Sequence, residues 1–214
     1  MLLLAAAAFA SDTIDIGVLK NSELRVVQKQ LYTKERKLEF GASLGAMMDG
    51  FTVAPQLGLV GVYHLSEAIG IEAQLGGGYG LETGFTTMLE GPAYGVAVEA
   101  NRYLGGAQVD LQVTPIYAKM NFFGKSIVHY DVYGLIGAGA FVEQSILPAA
   151  DISVAPTIPL GIGARAWLSP KTLVRLELRD NFAIESFPQE GGVGLIQKPT
   201  VSLGISMLSG GSKK

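Results

Sequence analysis

From Val174 to Asn181 the chain reads VRLELRDN, so Val174, Leu176 and Leu178 alternate with Arg175, Glu177 and Arg179. Successive side chains of a strand point to opposite faces, and this run therefore predicts a strand with one apolar and one charged face. The period of two recurs from Leu38 onward. It predicts eight strands, over 37–47, 55–65, 70–81, 108–121, 127–142, 155–168, 172–183 and 197–208. Short turns at Ser66–Ala68, Phe123–Ser126 and Ser169–Lys171 alternate with longer loops at 48–54, 82–107, 143–154 and 184–196. The sequence has no repeat beyond this strand period.

One face of these strands carries residues such as Phe40, Leu44, Leu59, Leu75, Leu111, Ile136, Ile162, Leu176 and Leu203. The other carries Glu39, Ser43, Glu72, Asp110, Gln112, Asp131, Arg165, Arg175, Glu177, Arg179 and Ser206, with glycine at most remaining positions. In a soluble sheet the charged face would meet water. Glycine has no advantage on an uncrowded outer surface and weakens a strand interior. Inside an eight-stranded barrel, where side chains only just fit, glycines make room for Arg165, Arg175 and Tyr133 to reach across. The polar face is therefore expected to line a lumen and the leucine face to meet lipid. Alternating short turns and longer loops are also the habit of small outer-membrane barrels.

Composition agrees with that inversion. Of the 214 residues 49% are hydrophobic and only 16% charged, against about 25% charged in an ordinary soluble domain. No segment reaches the roughly 18 consecutive apolar residues of a membrane helix, which leaves the closed barrel as the way to span a bilayer. The opening MLLLAAAAFASD has an apolar run ending in the small-x-small pattern Ala8-Phe9-Ala10, so residues 1–10 are expected to be an export signal. Residues 11–36, including SELRVVQKQLYTKERK, are polar and basic and are expected to form a periplasmic arm or short helix. The barrel is expected over 37–208, and 209–214 form a tail. A net charge of −3 and the lack of cysteine argue against nucleic acid as a partner and against thiolate metal sites.

With both termini periplasmic, Phe40, Tyr63, Tyr117 and Tyr130 fall on the outer face near the periplasmic ends, and Tyr79 and Phe182 near the opposite ends. These are expected to form two aromatic girdles, since an amphipathic ring suits a half-wet boundary. Inside, Glu39, Glu72, Asp131, Arg165, Arg175, Glu177 and Arg179 are expected to form a structural ion-pair network. Buried charges persist only when paired. A hairpin register that keeps the faces matched sets Arg165 opposite Glu177 and Trp167 opposite Arg175.

The enzyme-like patterns fail on context. Gly41-Ala-Ser-Leu-Gly45 matches G-x-S-x-G, but the nucleophile elbow needs a strand-to-helix turn and the alternation runs straight through Ser43. Gly161–Ala166 fits a loose dinucleotide pattern with no helix behind it. His64 and His129 both lie at periplasmic ends and make a poor metal site without a third ligand. No catalytic residue, cofactor or metal is expected. The 82–107 loop, with Phe85, Met88, Tyr94 and Tyr103, is long for a hairpin and is a candidate partner surface.

The stretches VVQKQLYTKERKLEFGASLG, LGLVGVYHLSEAIGIEAQLGGGYG, TPIYAKMNFFGKSIVHYDVYGLIGAGA and GIGARAWLSPKTLVRLELRD resemble the small, exported OmpA/OmpX-like outer-membrane barrels, over about residues 26–208. The turn at Tyr63–Glu67 and the run Lys119–Lys125 carry most of the likeness. The resemblance implies fold and location and no shared activity. Such barrels usually end in an aromatic, whereas this chain ends SLGISMLSGGSKK. The expectation is an all-β, eight-stranded antiparallel up-and-down transmembrane barrel in the outer membrane. It would act as a non-enzymatic scaffold with a plugged polar lumen, in contact with lipid and with envelope proteins through the 11–36 arm or the 82–107 loop. A narrow small-solute channel is the first alternative; a soluble lipocalin-like carrier, with the leucine face inside, is the second.

Overall fold

A computed structural model describes residues 32–96, 98–122, 126–146, 150–187 and 192–209. The proposed export signal and residues 11–31 of the arm lie outside the described residues. The strands are β1 (Leu38–Met48), β2 (Thr52–His64), β3 (Ile69–Gly78), β4 (Leu81–Glu82), β5 (Asn101–Phe122), β6 (Ser126–Ser145), β7 (Ile152–Trp167), β8 (Thr172–Phe187) and β9 (Gly192–Leu208), with one short helix α1 (Gly84–Glu90).

Every long strand pairs antiparallel with its neighbour in sequence, and β1 pairs with both β2 and β9. That closes an eight-stranded ring, since β4 only extends β2 at its loop end. Closure removes the unpaired edges an open sheet would expose. The two faces differ sharply in exposure. Leu176 and Leu178 are 49% and 51% exposed on the outside, while Arg175, Glu177 and Arg179 are buried at 3–5%. The apolar face therefore points outward throughout, which overturns the lipocalin-like alternative.

Several boundaries move. β5, β6, β8 and β9 run further toward the loop end than expected, so only 79–100 remains a long connection at that end. Tyr103, expected in that loop, is buried inside the barrel against Phe141, with ring centroids 5.1 Å apart. The β7–β8 hairpin is shifted by two residues: Arg165 faces Arg175, and Trp167 faces Leu173. Ser169-Pro170-Lys171-Thr172 closes as a tight turn in which the Ser169 hydroxyl accepts from the Thr172 amide. The turn centre lies on Pro170, where proline's fixed φ suits the second turn position. An even shift leaves every face unchanged.

Tyr117 is the one aromatic on the wrong face. A bulge between Val113 and Ile116 inserts an extra residue at Pro115, which has no N–H to give the ladder. Beyond it the parity flips: Ile116 points out and Tyr117 points in, toward Trp167.

Candidate functional site: the filled lumen

The lumen is filled in layers, each set by inward positions along the strands. At the short-turn end, Trp167, Leu173 and Leu208 form an apolar floor, with Tyr32 and Tyr117 packed on it. Above it, Glu39 bridges the two facing arginines, accepting from Arg165 Nη1 and Arg175 Nη1 at 3.0 Å each. Like charges directly opposite on adjacent strands repel, and this carboxylate offsets that repulsion. Arg165 also donates to Asp131 through Nε at 2.9 Å. Arg175 reaches Glu72 at 2.5 Å and contacts Glu177. Arg179 donates to Asp110 at 2.6 Å and Glu177 at 3.1 Å, and contacts Glu72. The seven residues expected to share a network are thus brought together.

Further side chains fill the layer. Tyr133 donates to Glu177 at 2.5 Å and lies under the Arg165 guanidinium, 4.5 Å from ring centroid to Cζ. Its ring needs Gly163, where a Cβ would sit 2.3 Å from Tyr133 Cζ. Asp110 likewise needs Gly137, where a Cβ would fall 2.2 Å from its Oδ1. His64 lies 2.9 Å from Glu39 and is buried, and Ser206 donates to the same carboxylate at 2.6 Å. Lys34, from the segment before β1, places Nζ 2.5 Å from Asp131 and 3.1 Å from Thr114. Burial, helped by the nearby Arg165 charge, pushes the Lys34 pKa below its ordinary value.

Next comes a mainly apolar belt of Met47, Ala54, Tyr103, Phe141, Ala155 and Ala183. Gln108 and Asn181 cross this level: Gln108 donates to Asn181 at 2.7 Å and accepts from Arg179 at 3.5 Å. A second charged layer lies beyond. There Lys198 Nζ is 2.7 Å from both Glu143 and Glu185 and 3.7 Å from Asp49, while Asn101 donates to Glu185 at 2.7 Å. Sequence reading missed this layer because Glu143 and Glu185 fell in segments taken as loops. The signal was present at Lys198, which shares the parity of Ser202 and Ser206.

On the outside, Phe40, Tyr63 and Tyr130 lie toward the short-turn end, and Tyr79 and Phe182 toward the loop end. Between them the wall is an apolar belt. A closed sheet with its polar groups inside and leucines outside is what hydrocarbon requires of a spanning structure. The fold is an eight-stranded transmembrane β-barrel.

No family model and no curated protein matches the sequence. Among solved structures, the chain is similar to the N-terminal β-barrel domain of OprF from Pseudomonas aeruginosa. That match has 8% identity and a TM-score of 0.49, over 81% of this chain and 98% of that one. It is also similar to Neisserial surface protein A, with 8% identity and a TM-score of 0.48 over 80% of this chain and 95% of that one. A third is OprG of Pseudomonas aeruginosa, with 13% identity and a TM-score of 0.46 over 84% and 99%. The polarity of the two faces, rather than these likenesses, decides where the barrel sits.

Ser43 lies mid-strand in β1, paired with Gly58 and Gly204, so the G-x-S-x-G run makes no elbow. His64 and His129 are separated, the first on Glu39 and the second among Tyr32 and Tyr117. Among the described residues no three His, Asp or Glu side chains converge as metal ligands do.

Proposed function

We propose that the chain is an outer-membrane scaffold barrel with a plugged lumen, binding envelope partners through its loop end and catalysing no reaction. The observation that carries this reading is the stack of paired side chains across the bore, from Trp167 through Arg165, Arg175 and Arg179 to Lys198. Breaking one partner out of a buried pair costs about 3–5 kcal/mol, so a path through this stack opens only at several times thermal energy. In this reading the charge network is structural, and the five outward aromatics set the barrel's height at the two interfaces. The partner surface is the 79–100 connection, where Phe85, Met88 and Tyr94 are exposed on or just beyond α1. Ser206 and His64 both bond to the Glu39 carboxylate, an arrangement that holds an acceptor rather than activating a nucleophile.

One observation favours a narrow channel as the second reading. A small void lined by Gln56, Gln74, Gln108, Asn181 and Thr200 on one side and by Met47, Tyr103 and Phe141 on the other lies between the two charged layers, and water there could link them. Planar-bilayer recording separates the two readings. The plugged barrel is expected to show no steady conductance, and open-porin steps would overturn it.

A further inference from the structure

The segment just before β1 does more than lead into the barrel. Tyr32 stacks on Trp167 at 6.1 Å and meets His129 edge-on at 4.9 Å, while Tyr117 contacts both Trp167 and His129. Two residues on, the Lys34 side chain is almost fully buried with its ammonium on Asp131. The main-chain N–H groups of Lys34 and Glu35 both donate to the Glu67 carboxylate, at 2.9 and 3.0 Å. Arg36 then donates its N–H to the His64 carbonyl from a left-handed conformation, φ 56°. The mouth thus holds an acidic socket for an ammonium, an aromatic wall for a ring, and a carboxylate clamp for the backbone between them.

The charges fit that arrangement. The wall supplies five carboxylates to the lower layer, on Glu39, Glu72, Asp110, Asp131 and Glu177, against three arginines. Lys34 is the fourth cation, and it arrives from outside the wall. Docking also carries costs. A non-glycine residue at positive φ is strained. Among the described residues, His129 Nε2 and Trp167 Nε1 are buried without a hydrogen-bond partner in the docked state. Water would satisfy these two atoms on release, and unmet buried groups weigh against the docked form.

We propose that Tyr32–Arg36 is a releasable latch that closes the short-turn mouth by docking as a unit into the Asp131, Glu67 and Trp167 sites. It opens and closes while the barrel stays folded. The proposal rests on the membrane-barrel reading, in which this mouth faces the periplasm.

Trp167 is the chain's single tryptophan, so its fluorescence reports on the latch directly. In the full chain folded into phosphatidylcholine vesicles, acrylamide is expected to quench Trp167 weakly. Lys34→Glu and Glu67→Gln, neither of which removes a group packed on Trp167, are expected to raise the quenching constant at least threefold, and Lys34→Arg to leave it low. A heat-shift gel run alongside reads barrel folding separately, so a wild-type chain without the shift indicts the barrel reading and not the latch. If Lys34→Glu fails to fold, Glu67→Gln decides. A folded variant that leaves Trp167 as shielded as in the wild type overturns docking as a unit. Hydrogen exchange of the wild type tests release: the Lys34 and Glu35 amides are expected to exchange at least tenfold faster than those of β8. Equal protection would make the segment a permanent plug and overturn the latch.

Discussion

Near the short-turn end three arginines meet five carboxylates, and each guanidinium touches two or three of them; near the loop end a single ammonium, on Lys198, meets Glu143, Glu185 and Asp49. Remove Arg175 and its partners are still held: Glu39 keeps Arg165, and Glu72 and Glu177 keep Arg179. Remove Lys198 and Glu143 and Glu185 lose the one cation that reaches them among the described residues. The lower layer is redundant and the upper one hangs on a single group. Arginine's fixed fork makes the difference, because one planar cation can bond two or three carboxylates at once.

The difference between the layers is expected to be largest at Lys198. Lys198→Met is expected to destabilise the folded barrel by about 3–5 kcal/mol, the cost of leaving a buried charge without its partner. Urea unfolding in vesicles reads it, and adding Glu143→Gln and Glu185→Gln should recover much of the loss. Leu176→Arg tests the wall instead of the lumen and is expected to cost about 2–4 kcal/mol near the bilayer midplane. Arg175→Met should cost less, about 1–3 kcal/mol for acceptors left short of a donor. If Arg175→Met proves more damaging than Lys198→Met, the redundancy of the lower layer is wrong.

The same two layers mark how far the sequence could be read. Strand count, face assignment and seven of the eight charged wall residues of the lower network followed from the period of two, because charge inside a narrow barrel must keep to one parity; Asp110 was legible only as an inner-face residue. Register did not follow: an even shift in the Ser169–Thr172 turn keeps all faces and changes every partner, so Arg165 came to face Arg175. Tyr117 was misplaced because a bulge at Pro115 flips parity locally, and only the proline hinted at it. Glu143 and Glu185 were lost because strands that project past the expected loop boundaries continue an alternation interrupted by small residues. Lys34 had no periodic signal at all. Its place is set by the Glu67 clamp and Asp131, contacts more than thirty residues away in sequence.

Leucines face lipid around a lumen of paired charge. The chain has no cysteine, so single cysteines at Leu176 and at its cross-strand neighbour Leu203 can carry nitroxide labels without a background. Collision rates with oxygen, which concentrates in hydrocarbon, and with a water-soluble nickel chelate measure where each label sits in vesicles. The expected result is high oxygen and low nickel accessibility at both positions. High nickel accessibility, or labels immobilised and shielded from both reagents as in a packed core, would contradict it.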